Sequence, residues 1–139
     1  MPAPEKSPGQ RVLLVDDDVQ LADSLAEYLR RHGYTVLLAY HGQEALQVLA
    51  RQRVALVISD IYMPEGDGIE LLTVLRRCTP APAVLAMSGA GLGRVGGMLK
   101  MASVLGATRT IAKPFSPTQL LLLVEQLVGP AVARPVSSP

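Results

Sequence analysis

Residues 53–68 read RVALVISDIYMPEGDG, and the reading of this stretch decides the fold. Ala55, Leu56, Val57 and Ile58 make a short apolar run ending in β-branched residues, the pattern of a strand buried on both faces, as in a parallel sheet. The run stops at Asp60. A carboxylate at that junction lies where open α/β sheets place their chemistry, outside the carboxyl ends of the strands. The loop that follows, Met63 to Gly68, is dense in turn formers, which stiffen the chain beyond the carboxylate and release it into a helix. Asp60 is thereby expected on a rigid edge.

Outward from this stretch, the same grammar repeats. Val12 to Val15 is a second buried run, and it also ends in carboxylates, Asp16, Asp17 and Asp18. Leu21, Leu25, Tyr28 and Leu29 recur at helical spacing over residues 19–31, and His32-Gly33 closes that helix. Thr35 to Ala39 is a strand, and residues 43–50 a helix with Ala45, Leu46 and Leu49 inward. Ile69, Leu72 and Leu75 mark a third helix, which Pro80 and Pro82 terminate. Ala83 to Met87 is the fourth strand and delivers Ser88. After a glycine-rich segment, a helix firms up from Met98 to Leu105, and Thr108 to Ala112 is a fifth strand ending at Lys113-Pro114. Ser116 and Pro117 then open a last helix as N-cap and first helical residue, running to about Val128. Strands alternating with helices imply right-handed crossovers and helices on both faces of the sheet. The alternation leaves the strand order open, with 2-1-3-4-5 the common solution at this size.

The 139 residues suit one domain, over 11–129, between a disordered N-terminal extension (1–10) and a disordered tail (130–139). That length is expected to leave no room for an attached output domain, which implies a stand-alone unit. With one Phe, four Tyr and no Trp among 49% hydrophobic residues, the core must be aliphatic. A net charge of +1 exerts no overall pull toward nucleic acid, and Arg30-Arg31 and Arg76-Arg77 are placed to complement helix dipoles. Cys78 is the single cysteine, so no internal disulfide can form, and it reads as structural. With no signal peptide before the first strand and no apolar run of membrane-spanning length, the expected location is the cytoplasm.

The strand ends bring Asp16, Asp17, Asp60, Ser88 and Lys113 to one edge. Singly, each has an ordinary explanation, as a helix cap, a turn residue or a surface charge. Together they do not. If the first and third strands are neighbours, three carboxylates converge, and such a cluster is unfavourable unless a cation or proton neutralises it. All-oxygen ligands favour a hard divalent ion, and a site also open to phosphate and water favours Mg²⁺. Asp60 is then a plausible nucleophile toward phosphorus. Mg²⁺, the Lys113 ammonium and the Ser88 hydroxyl would each take one phosphoryl oxygen.

These residues resemble the response-regulator receiver domain of two-component signalling. The resemblance covers about Arg11 to Val128 and rests on Val15-Asp16-Asp17, Asp60 with Met63-Pro64 and Asp67-Gly68, Ser88-Gly89, and Lys113-Pro114-Phe115. It implies a flavodoxin-like five-stranded parallel sheet, with Asp60 accepting a phosphoryl group from a histidine kinase or histidine phosphotransferase. It further implies that Asp17 ligates Mg²⁺ directly, Asp16 mainly through water, and the backbone carbonyl of Tyr62 as another ligand, with Lys113-Pro114 cis. A receiver catalyses only its own phosphorylation and dephosphorylation. On phosphorylation Ser88 is expected to move inward, carrying the Gly89 to Val95 loop and shifting the face of the last two helices. Most receivers have an aromatic residue three positions before the lysine. This chain has Thr110, which implies a smaller response. Tyr62 and Ala90 lie where side chains could screen the phosphoryl group from water.

Three other readings compete. Asp16-Asp17-Asp18-Val19 resembles the opening motif of haloacid dehalogenase-type hydrolases, with Asp16 as nucleophile and Asp18 as acid/base. That enzyme also needs carboxylates after the lysine, and Glu125, inside a helix, is the only one. Gly91 to Gly96 fits a dinucleotide-binding pattern but lacks an acid about twenty residues on. A degenerate receiver that only binds a partner conflicts with the intact acidic set. His32 and His41 each stand alone and are expected on the surface. Leu120 to Val124 is apolar around more of the last helix than one stripe requires, so this helix, with Met98 and Met101, is expected either to be buried deeply or to offer a patch for a downstream partner or a homodimer. No contact with nucleic acid or membrane is expected.

Overall fold

The computed structural model describes residues 11–60, 67–88 and 108–131. Five short strands, β1 (Arg11–Val15), β2 (Thr35–Ala39), β3 (Leu56–Asp60), β4 (Ala83–Ser88) and β5 (Arg109–Ala112), form one parallel sheet in the order β2-β1-β3-β4-β5. The described helices are α1 (Val19–Arg31), α2 (Gly42–Arg51), α3 (Asp67–Leu75) and the last helix, α4 (Pro117–Val128). The expected flavodoxin-like order is therefore the observed one. The helix expected over Met98 to Leu105 and the Gly91 to Gly96 segment lie outside the described residues, as do both chain ends beyond 11 and 131.

Strand alternation sorts the core into two layers, because successive side chains point to opposite faces. Val12, Leu14, Leu56, Ile58, Leu85 and Met87 meet Ala22, Leu25, Ala26 and Leu29 of α1 and Leu120, Leu121 and Val124 of α4. On the other face, Leu13, Val15, Val57, Val84 and Ala86 meet Ala45 of α2 and Leu71 and Leu75 of α3. β3 is buried along its whole length, Asp60 included. Of the residues expected inward on the first two helices, Leu21, Tyr28, Leu46 and Leu49 are half-buried and pack against the margin of the core, whereas Ala22, Ala26 and Ala45 are fully buried. In α3, the buried Leu71 was not singled out by the spacing, and the helix ends at Leu75, before the prolines, through turn bonds from Arg77 and Cys78 to Val74 and Leu75.

Helix ends follow the expected chemistry. Asp18 caps α1 by accepting from Leu21 N at 3.1 Å, and His32 and Gly33, the latter at φ 99°, close it. Ser116 and Gln119 form a reciprocal capping box with Pro117 in the first turn of α4. His41, exposed as expected, caps α2. Tyr34, buried at the start of β2, donates to Gly129 O at 2.7 Å and pins the chain just after α4. The apolar run on α4 divides: Leu120, Leu121 and Val124 belong to the core, whereas Leu122 is 54% exposed. Leu120→Ala is therefore expected to lower stability by about 2–5 kcal/mol. Leu122→Ala should shift it by no more than about 0.5 kcal/mol. Urea-unfolding midpoints of the two variants check the division.

Candidate functional site

The carboxyl edge of the sheet collects the site because β1, β3 and β5 all run the same way. Val15 pairs with Ser59 in register, so Asp16 and Asp60 leave adjacent strands at the same height. Ser88 pairs with Ala112, and Lys113 N donates to Ser88 O at 2.7 Å, which carries the β4–β5 pairing one residue further and sets the lysine's starting point. Its side chain then crosses the edge, with Nζ 2.7 Å from Asp16 Oδ2 and 3.1 Å from Asp60 Oδ2. The Lys113-Pro114 peptide is cis, as the family resemblance implies.

Asp16 is fully buried, Asp60 is 5% exposed and Ser88 2%. Both carboxyl oxygens of Asp16 are engaged, since Oδ1 accepts from Asp18 N at 2.9 Å while Oδ2 accepts from Lys113. Asp17 stands exposed beside them, and ligand oxygens of Asp16, Asp17 and Asp60 lie within 4.8 Å of one another. At that spacing two ionised carboxylates repel by about 3 kcal/mol at an effective dielectric near 20. Lys113 offsets part of this. Burial works to lower its pKa, but the hydrogen bond it donates to Asp16 and the charges of Asp60 and Asp16 outweigh it, so the ammonium is held above the usual lysine value.

The donor set fits a divalent ion. Three carboxylates and one ammonium leave two negative charges at a partly buried edge, and all available ligand atoms are hard oxygens. Asp16, Asp17 and Asp60 are the described residues able to hold it. Tyr62, whose carbonyl is an expected further ligand, lies outside the described residues, as does the Gly89 to Val95 loop.

Asp18 stands apart from this group. Its carboxylate is exposed and spent on capping α1, which leaves the dehalogenase reading without its acid/base. Sequence reasoning named every described residue of the cluster, but missed the way Asp16 is tied to Asp18 N. A carboxylate followed two residues later by a free backbone N–H is the local signal for that bond.

A doubly wound sheet with an acidic cluster and a bridging lysine at its carboxyl edge defines a phosphoacceptor module. Residues 12–125 match the family model for the response regulator receiver domain. The chain belongs to that family. It is 34% identical over 119 residues to the transcriptional regulatory protein CpxR of Escherichia coli K12, an alignment covering 85% of this chain and 49% of CpxR. Over 118 residues it is 34% identical to the transcriptional regulatory protein SrrA of Staphylococcus aureus NCTC 8325, covering 84% and 47%. It thus spans about half the length of the curated relatives it matches. Among solved structures, the NtrX receiver domain of Brucella abortus superposes with a TM-score of 0.76 at 29% identity, covering 84% of this chain and 97% of that one. As a receiver of two-component signalling, the chain implies a cognate histidine kinase. Among the described residues, no helix is long and apolar enough to cross a membrane.

The raised Lys113 pKa has a consequence for stability. Its contribution is complete below the unfolded lysine value of 10.5 and is lost as pH rises through the higher folded value. The stability difference between wild type and Lys113→Met should therefore be constant from neutral pH to about 10.5 and narrow above it. Urea unfolding of both proteins across that range measures the difference.

Proposed function

We propose that Asp60 is the phosphoacceptor of a receiver unit spanning residues 11–129, with Lys113 and Ser88 assisting and Mg²⁺ held by Asp16, Asp17, Asp60 and the Tyr62 carbonyl. The observation that carries this reading is the convergence of Asp16 Oδ2 and Asp60 Oδ2 on one lysine Nζ. A structural ion pair needs one carboxylate, whereas this ammonium sits between two and beside a third. In the transfer, an Asp60 carboxylate oxygen forms the new O–P bond while the donor histidine's N–P bond breaks and the imidazole leaves. Bound Mg²⁺ supplies charge neutralisation for the phosphoryl oxygens. Lys113 turns its ammonium toward another phosphoryl oxygen, offsetting charge where it builds up. The Ser88 hydroxyl accompanies the phosphoryl group and conveys its presence to the chain that follows β4.

Donors of this chemistry are a histidine kinase or a histidine phosphotransferase, which this chain would meet in the cytoplasm. The output is a protein contact through α4 and the region of residues 98–105, either with a downstream partner or as a homodimer. Exposed Leu122 supports this surface. Neither nucleic acid nor membrane enters the scheme.

Incubation with acetyl phosphate and Mg²⁺ should place one phosphoryl group on Asp60, located by mass spectrometry after reductive trapping. Asp60→Asn or a chelator should abolish it, and Asp18→Ala should retain it. Lys113→Ala should slow labelling by about 10²-fold, the usual loss when one donor to a developing charge is removed. Label trapped on Asp16 instead would reject the assignment.

Thr110 is half-buried on β5 opposite Ala86, where an aromatic ring would be needed to track Ser88. Phosphorylation is accordingly expected to shift amide resonances at Ser88 and Lys113 more than at Thr110. A large shift centred on Thr110 would contradict this.

A further inference from the structure

The two edges of the sheet carry opposite charge. Asp16, Asp17 and Asp60 lie at the carboxyl edge, whereas Arg11, Arg51, Arg53, Arg76, Arg77 and Arg109 lie at strand starts or helix ends on the other edge. The chain has no Asp or Glu between Glu44 and Asp60, and none between Glu70 and Glu125. The connections from α2 to β3 and from α3 to β4 are therefore basic without internal acids. Arg51, Arg53, Arg76 and Arg77 are all exposed, and among the described residues none makes an ion pair. Helix-dipole complementarity explains an arginine at each helix end, but it does not explain what lies between them.

Between these two connections is a groove of about 330 Å³ with Arg53 on its wall. Leu49, Val54, Pro80 and Pro82 supply apolar surface, Thr79 a hydroxyl, and no carboxylate among the described residues lines it. Arg51 stands two residues before Arg53, and Arg76-Arg77 immediately precede the Cys78-Thr79 part of the rim. An apolar hollow large enough for one bulky side chain thus has the guanidinium of Arg53 on its wall, with Arg51, Arg76 and Arg77 adjacent to lining residues along the chain, and guanidiniums prefer carboxylates in bidentate geometry. Nucleic acid would use the arginines but leave the aliphatic floor wet, and among the described residues no aromatic ring lines the groove for a base to stack on.

We propose that this groove docks an acidic protein segment carrying an aliphatic anchor residue, its carboxylates meeting Arg51, Arg53, Arg76 and Arg77. The groove lies at the far end of β3 from Asp60, about 13 Å away at the usual strand rise. A partner seated there leaves the carboxyl edge open. The same molecule can then be tethered and phosphorylated at once, and docking does not depend on Asp60.

The test uses a fluorescein-labelled synthetic peptide of glutamates around a single leucine, titrated into ¹⁵N-labelled full chain at low salt. Expected are saturable binding, with shifts confined to Gln52, Arg53, Cys78, Thr79 and their neighbours. Affinity should be unchanged by Asp60→Asn, and about tenfold weaker when the peptide's leucine is alanine. It should also fall at least tenfold in the Arg53→Gln/Arg76→Gln/Arg77→Gln variant, whose dispersed spectrum verifies folding. Arg51→Gln, a milder single change, should weaken binding in the same direction. Unsaturable binding or shifts spread over the surface would overturn the proposal. So would tighter binding of duplex DNA by these same arginines, or self-association of the chain that the triple variant abolishes. Since Asp60→Asn leaves the docking assay intact, its outcome is independent of whether Asp60 accepts phosphate.

Discussion

One ammonium group holds three strands' worth of chemistry together. Lys113 Nζ reaches from the end of β5 across the sheet edge to Asp16 after β1 and to Asp60 at the end of β3. Without it, two buried carboxylates would face each other in a poorly screened setting, a cost that folding must otherwise meet by protonating one of them. With it, both accept a hydrogen bond from one ammonium. A lysine shared between two carboxylates keeps one contact if it gives up the other.

That geometry is available because the sheet beneath it is apolar and continuous. The side chains of β1 and β3 alternate between two helix-covered faces, so a one-residue slip would exchange the layers that meet α1 and α4 with those that meet α2 and α3. Register is strongly specified for this reason, and register is what brings Asp16 and Asp60 to one height. Core packing thus determines the distances on which the chemistry at the edge depends. Ser88 and Lys113 are joined at the next step of the ladder by a single backbone hydrogen bond.

The molecule is also electrically divided. Carboxylates lie where the strands end, and arginines where they begin. Part of this follows from helix dipoles, since basic residues favour helix C-termini. The groove between the α2–β3 and α3–β4 connections goes beyond that rule, for it combines an apolar floor with Arg53, which makes no ion pair among the described residues.

Much was legible in the residues alone. Apolar runs that end in Asp17, Asp60, Ser88 and Lys113 announced strands and the edge they share, because strand ends in a parallel sheet must gather on one side. Caps such as Ser116 and Pro117 were equally plain, since capping chemistry is local. Tertiary structure alone decided three matters. Strand order put β1 beside β3, a pairing that no local pattern encodes. The split of the α4 leucines into buried Leu120 and exposed Leu122 depended on how the helix lies on the sheet, and the small Ala22, Ala26 and Ala45 are fully buried for the same reason. Asp18 and Asp16 stand two residues apart in one acidic run, yet one caps a helix in water and the other is buried against Lys113. Spacing along a chain sets which groups can be near; only the packed fold selects which of them lose their water, and desolvation is what separates a cap from a reactive site.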